Sequence, residues 1–369
     1  MRKGPRPLSV QIGMAVSGWP HAFPQQNFPR QELPQELEKM LLGIRLYQNH
    51  EYQPEKLPIE KIWAQGTASL NAIPGYGAGR DRPAIVLVPS LINKANILDL
   101  MAERSLMRFM AAQKITPYLL DWGNIIDDPG QQDMEGIITE RLIPALRFAA
   151  EREGGAVHAL GYCMGGTLLM GAAVSAPEVL ASIVMLAAPW DFHGGAQALL
   201  NRVKFWAPSA FPLIEEKGLL PVDWIQVVFA SLDPFMAANK FAGFSDMQQD
   251  SDRAKLFVAV EDWLNDGIDL PSRVAQHCIK EWFFENRPGR GEWVIGNRTV
   301  APETIGCPAL IVASERDRLV EFDTAAALHR SMKNTTLLKP DCGHIGMIAG
   351  GQSQEKVWAP IAAWLQQGL

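Results

Sequence analysis

The run Leu160-Gly161-Tyr162-Cys163-Met164-Gly165-Gly166 sets a cysteine between glycines two positions before and two after it, where one apolar stretch gives way to another. In an elbow of the G-x-S-x-G type the turn from strand to helix is too tight for side chains at the flanking positions, and the central residue projects over the sheet. A cysteine in that place is a nucleophile at a helix N-terminus, where the positive end of the peptide dipoles favours thiolate over thiol. The backbone N–H of Met164 would face the oxyanion that develops on an attacked carbonyl. A free cysteine is also among the most buried residue types and usually just packs, so its company decides the reading.

That company lies downstream. "LIVASERDRLVEF" places Asp317 just after a strand, and "KPDCGHIGMIAG" places His344 in a glycine-bounded loop after the next one. Nucleophile, acid, histidine is the chain order of an α/β-hydrolase fold. In these roles His344 takes the Cys163 proton, while Asp317 orients the imidazole and stabilises its charged form. Glu315 and Asp323 read as solvated acids of the same loop, His158 as a core histidine inside a strand, and His193 and His277 as surface residues of a later insertion. The second oxyanion donor is expected from the loop "VPSLINKANILDL", as the N–H of Leu91 or Ile92, between which the sequence does not choose.

The elements needed to position these residues are legible as alternation. "AIVLVPS", "TPYLLDW", "AVHAL", "ASIVMLAAPW" and "CPALIVASERD" are short apolar runs, several rich in β-branched residues, as buried parallel strands require. Helical stretches lie between them, around "LDLMAERSLMRFMAAQ", "MEGIITERLIPALRFAAER" and the small-residue run to Ser175, at the spacing of right-handed βαβ units. The fold class read from this is α/β: an α/β-hydrolase fold with a mostly parallel, doubly wound sheet and a helical cap insertion. Residues 1–82, with one amphipathic helix in "QELPQELEKMLLGIRLYQ" and a linker in "NAIPGYGAGRDRP", read as a helical or irregular arm. Residues 83–190 and 297–369 read as the catalytic core, and 191–296, where the alternation lapses into aromatic-rich helical sequence, as a cap over the site.

Composition sets the outer bounds. With 369 residues, 47% of them hydrophobic and 20% charged, the chain can bury a large core, and its net charge of −6 disfavours a nucleic-acid surface. The cysteines Cys163, Cys278, Cys307 and Cys342 lie far apart, without zinc spacing or a disulfide framework, which fits a reducing cytoplasm. No stretch approaches the roughly 18 apolar residues of a transmembrane span, and the start "MRKGPRPLSVQIGMAVSGWP" lacks the apolar core of a secretory signal.

Taken together, "VPSLINKANILDL", "YLLDWG", "GYCMGG", "EDWLNDG" and "GHIGMI" resemble the polyhydroxyalkanoate synthases, in order from about Ala84 to Leu365. The cysteine box alone is shared with dienelactone hydrolases, whereas Ile-Asn-Lys followed by Leu-Asp-Leu is far more specific. The resemblance implies an acyltransferase that links 3-hydroxyacyl units from coenzyme A thioesters into polyester, with CoA released and neither metal nor redox cofactor. It implies that Cys163 carries the growing chain as a thioester, that His344 activates it, and that Asp317 also assists the substrate 3-hydroxyl. It further implies a cytoplasmic enzyme at the surface of polyester granules. The short front end is similar to synthase subunits that work with a second protein, which leaves action with a second subunit, as a homodimer, or in another acyl transfer or hydrolysis. The rival readings are a cysteine hydrolase, either an intracellular polyester depolymerase or a dienelactone-type esterase, and an idle granule-associated protein. No residue is assigned to CoA; Lys94, Arg287 and Arg290 are conceivable phosphate partners that also read as solvated charges.

Overall fold

A computed structural model describes residues 2–22, 35–76, 82–128, 130 and 132–367. Residues 31–34 of the expected first helix and 77–81 of the expected linker lie outside the described residues.

Eight strands form one sheet: β1 (Glu60–Gln65), β2 (Ala68–Ala72), β3 (Ala84–Val88), β4 (Thr116–Asp121), β5 (Val157–Tyr162), β6 (Leu180–Leu186), β7 (Ala309–Val312) and β8 (Thr335–Leu338). Their order across the sheet is β1-β2-β4-β3-β5-β6-β7-β8. The pairings from β4 to β8 are all parallel, whereas β1 pairs antiparallel with β2 and β2 antiparallel with β4. The mostly parallel sheet expected from the apolar runs is present, and its central strands are buried on both faces: every residue of β3 and β7 is buried. The principal helices are α1 (Leu8–Ala22), α2 (Gln35–Gln48), α3 (Leu106–Ala112), α4 (Ile143–Glu153), α5 (Met164–Ser175), α6 (Ala198–Lys217), α7 (Val222–Ala230), α8 (Met236–Ser245), α9 (Asp252–Asn265) and α10 (Phe322–Ser331). Among the described residues, no helix is long and apolar enough to cross a membrane.

Three local outcomes differ from the sequence reading. Residues 60–72, read as part of an irregular arm, form the β1–β2 hairpin at the sheet edge, turning at Gly66 with φ +59°. The segment Asp99–Ser105, read as helical, is a short antiparallel ladder, and only Leu106–Ala112 is helix, started by the Ser105 hydroxyl accepting the Arg108 N–H at 2.9 Å. Ahead of α4 the helix passes through a π-turn over Ile138–Leu142, which relieves the clash that Pro144 would otherwise have with the carbonyl one turn earlier.

The chain divides into two compact units, one of residues 1–54 with 221–267 and one of 55–220 with 268–369. The first is helical: Met40, Ile44 and Tyr47 of α2 pack on Phe241 and Phe244 of α8 and Val258 of α9. Gly43 permits this, since a Cβ there would stand 1.8 Å from the Phe241 carbonyl oxygen. The motif "EDWLNDG" is spent inside this unit: Asp262 accepts from Tyr47 Oη at 2.9 Å and from Arg2 Nε at 2.8 Å, and Glu261 pairs with Lys240 at 2.8 Å. The second unit contains the whole sheet and all the residues discussed below.

Candidate active site

Strand β5 runs without a loop into α5, and Cys163 is the one residue between them, at φ +54° and ψ −128°. A non-glycine residue in that conformation costs on the order of 1–3 kcal/mol, which the surrounding packing must hold in place. The packing is visible at the glycines. A Cβ on Gly161 would meet the Gly166 Cα at 2.4 Å, one on Gly165 the Val88 carbonyl oxygen at 2.3 Å, and one on Gly166 the Ala188 Cβ at 2.3 Å. The spacing read in the sequence thus has a steric cause: strand, helix and the end of β3 close on one another with no room for side chains. The backbone is pinned by Cys163 N–H donating to Leu186 O and Gly166 N–H to Cys163 O, both at 2.9 Å.

Asp317 stands in the loop between β7 and α10, and His344 in the loop after β8. The fold brings them together: His344 Nδ1 and Asp317 Oδ2 are 2.7 Å apart. The other carboxylate oxygen accepts the Leu319 and Val320 N–H groups, each at 2.8 Å, so the acid is fully engaged and buried. Burial alone would lower the pKa of His344. The Asp317 charge, the Cys163 charge and the hydrogen bonds to both outweigh it and push the imidazole up to about 10. The upward shift favours the imidazolium form, bonded to the acid on one side and facing the sulfur on the other. Such a group can hold a proton and return it to a leaving atom.

The remaining expected residues fall as follows. Met164 is the first residue of α5, where backbone N–H groups have no partner within the helix. Leu91 and Ile92 follow β3 in a loop whose Ile92 N–H lies 3.3 Å from Ser90 Oγ and whose Ile92 carbonyl accepts the Ile268 N–H at 2.8 Å. Glu315 and Asp323 are exposed. His158 is a partly buried strand residue 2.7 Å from Ser182 Oγ, its pKa lowered by burial. His193 Nε2 lies 2.9 Å from the Phe283 carbonyl oxygen. His277, read as a surface residue, has a side chain only 15% exposed, beside Trp282 and Trp293. The two arginines considered for CoA phosphates have acid partners, Arg287 with Glu285 at 2.7 Å and Arg290 with Glu292 at 2.7 Å, while Lys94 stands exposed ahead of a short 3-10 turn.

One neighbour of the site went unread in the sequence. Tyr162, the last residue of β5, stacks on His344 with ring centroids 5.2 Å apart and planes 27° apart, and its hydroxyl lies 3.4 Å from the His344 carbonyl oxygen. Its place next to the cysteine was the one available signal.

An eight-stranded, mostly parallel sheet with a strained elbow after its fifth strand defines the class. The profile described as "Alpha/beta hydrolase family" matches residues 72–357, and the chain belongs to that family. Within it, the chain is similar to poly(3-hydroxyalkanoate) polymerases. The polymerase subunit PhaC of Haloferax mediterranei is 25% identical over 293 residues, covering 77% of this chain and 58% of the relative, so the chain spans less than two thirds of that protein's length. The same subunit of Allochromatium vinosum is 27% identical over 302 residues, covering 79% of this chain and 83% of the relative. Among solved structures, the monoacylglycerol lipase of Paleococcus ferrophilus superposes with a TM-score of 0.52 at 15% identity, covering 83% of this chain and all of that one, a likeness of fold.

Proposed function

We propose that this protein is an acyltransferase that builds polyester from 3-hydroxyacyl coenzyme A thioesters, with Cys163, His344 and Asp317 as its catalytic set. The observation that carries the reading is the residue at the elbow: a cysteine, not an oxygen nucleophile, set against a buried histidine–aspartate pair. The relatives named as poly(3-hydroxyalkanoate) polymerases point to the same substrate class.

The chemistry follows from the groups present. Cys163 Sγ attacks the thioester carbonyl while His344 holds the sulfur's proton, and Asp317 keeps the imidazolium oriented. The oxyanion meets the N–H of Met164 and a second donor from the loop after β3. Leu91 is the better candidate there, because the Ile92 N–H is drawn to Ser90 Oγ. The bond to the CoA sulfur breaks, that sulfur takes the proton from His344, and the acyl group rests on Cys163. The 3-hydroxyl of another unit then gives its proton to His344 while its oxygen attacks the Cys163 thioester; an ester forms and the proton returns to the cysteine. Each transfer exchanges one acyl bond for another, so no redox partner or metal enters the balance. A polyester that leaves solution would keep the enzyme at the granule surface, and a second subunit or a second copy of this chain are the partners to supply in an assay.

The test uses the purified protein with 3-hydroxybutyryl-CoA, alone and with candidate second subunits. Release of CoA together with polymer is expected, and Cys163→Ala should abolish both. Polymer from the alanine variant would contradict the assigned nucleophile, and CoA release with free hydroxy acid as the sole product would make the protein a hydrolase.

A further inference from the structure

Tyr162 is not explained by the elbow. The turn needs glycines at 161, 165 and 166, but the position before the cysteine carries no steric demand for an aromatic ring. The ring is nevertheless buried, 2% exposed, and one of its faces stacks on His344 with ring planes 27° apart. Three groups meet the imidazole: Asp317 at Nδ1 from the β7 side, Cys163 from the elbow, and the face of Tyr162 from the end of β5. The charged groups acting on His344 are the first two, and both are anionic when they act.

We propose that Tyr162 is a positioning residue for the acyl transfer: its ring holds the His344 imidazolium by stacking, and its hydroxyl tethers the His344 backbone. The inference rests on the reading of His344 as the group that carries the proton. An aromatic face attracts a cation through its quadrupole, so the stack favours the protonated ring over the neutral one. It also blocks rotation of the imidazole about its bond to the chain, which would otherwise break the Asp317 contact. The phenol is suited to the tether, because burial first and the charges of Cys163 and Asp317 second hold its pKa well above the usual value, and the O–H remains a donor at working pH. Here the sheet contributes more than the nucleophile: the same strand end supplies the attacking sulfur through Cys163 and the platform under its proton carrier through Tyr162.

The separating experiment follows the His344 ring by NMR as pH is varied, alongside the rate at which iodoacetamide labels Cys163. It compares the wild type, Tyr162→Phe, Tyr162→Leu, and a protein with pentafluorophenylalanine at 162, which keeps the ring's shape while reversing its quadrupole. Phenylalanine should keep the wild-type midpoint, losing less than about threefold in kcat with the tether. Leucine and the fluorinated ring should lower the midpoint by roughly one pH unit, the scale of a desolvated cation–π contact, and lower kcat about tenfold with KM held within about twofold. A fluorinated protein that titrates like the phenylalanine variant would overturn the inference, even if the leucine variant fails to fold. Because these readouts need no polymer, a protein that makes none yet shifts its midpoint across the series would sustain the role of Tyr162 and reject the synthase reading. Wild-type labelling of Cys163 no faster than that of the other cysteines would overturn both.

Discussion

Two largely buried histidines in the same unit titrate in opposite directions. His344 is pushed up to about 10, and His277 is pushed down to about 4 by burial first and the Arg287 charge second, which outweigh Asp133 and Glu285. Burial opposes the charge on both, so burial does not separate them. The difference lies in the acid. Asp317 is itself dry and bonded directly to the ring at 2.7 Å, whereas the nearest acid to His277, Glu281 at 3.2 Å, is 29% exposed and shared with Arg287. A carboxylate buried against the ring raises the pKa of His344, while at His277 burial and the Arg287 charge prevail and favour the neutral ring.

The largest effect is expected from removing that acid. Asp317→Asn keeps the shape of the loop but makes the environment of His344 resemble that of His277. Its midpoint should fall below 6.5, and kcat should fall on the order of 10³- to 10⁴-fold, as when the acid of a serine-type triad is amidated. In the wild type, turnover should hold through neutral pH and decline as pH rises through about 10, where His344 loses its proton. A variant within tenfold of wild-type kcat would erase the distinction between the two histidines.

A smaller effect, on stability alone, sharpens it from the other side. The folded-state pKa of His277 lies below its unfolded value, so between about 6.5 and about 4 the unfolded chain binds the extra proton and stability is lost as pH falls through that window. His344 has the opposite sign: its contribution is complete below about 6.5 and is lost as pH rises toward about 10. His277→Gln should therefore leave kcat within about threefold. It should reduce the acid-side loss by up to about 3 kcal/mol, each protein being compared with its own stability at neutral pH by chemical denaturation. An unchanged acid slope, or a loss of activity like that of Asp317→Asn, would show the two sites to be misassigned.

The same pair shows what a sequence carries and where it stops. Cys163, Asp317 and His344 were legible because local rules place them: glycine spacing fixes the elbow, and apolar runs place the acid and the histidine at the ends of strands. His277 was misread because "VAQHCIKEWFF" looks amphipathic by itself, while its burial depends partly on Trp293, which lies beyond that helix. Tyr162 was silent for a related reason, since its partner is 182 residues away in sequence. The β1–β2 hairpin escaped because "EKIWAQ" and "ASLNA" show little alternation, and its pairing becomes secure only against β4. The division into two units escaped because α2 and α8, which pack together, are separated by most of the sheet in the chain.

The most direct test of the central claim is the mass of the protein after brief mixing with 3-hydroxybutyryl-CoA, followed by acid quenching and peptide mapping. A 3-hydroxyacyl group on Cys163, released by hydroxylamine and absent from Cys163→Ala, is the predicted result. CoA release with no acyl group on Cys163 at any time, or an adduct at another residue, would contradict it.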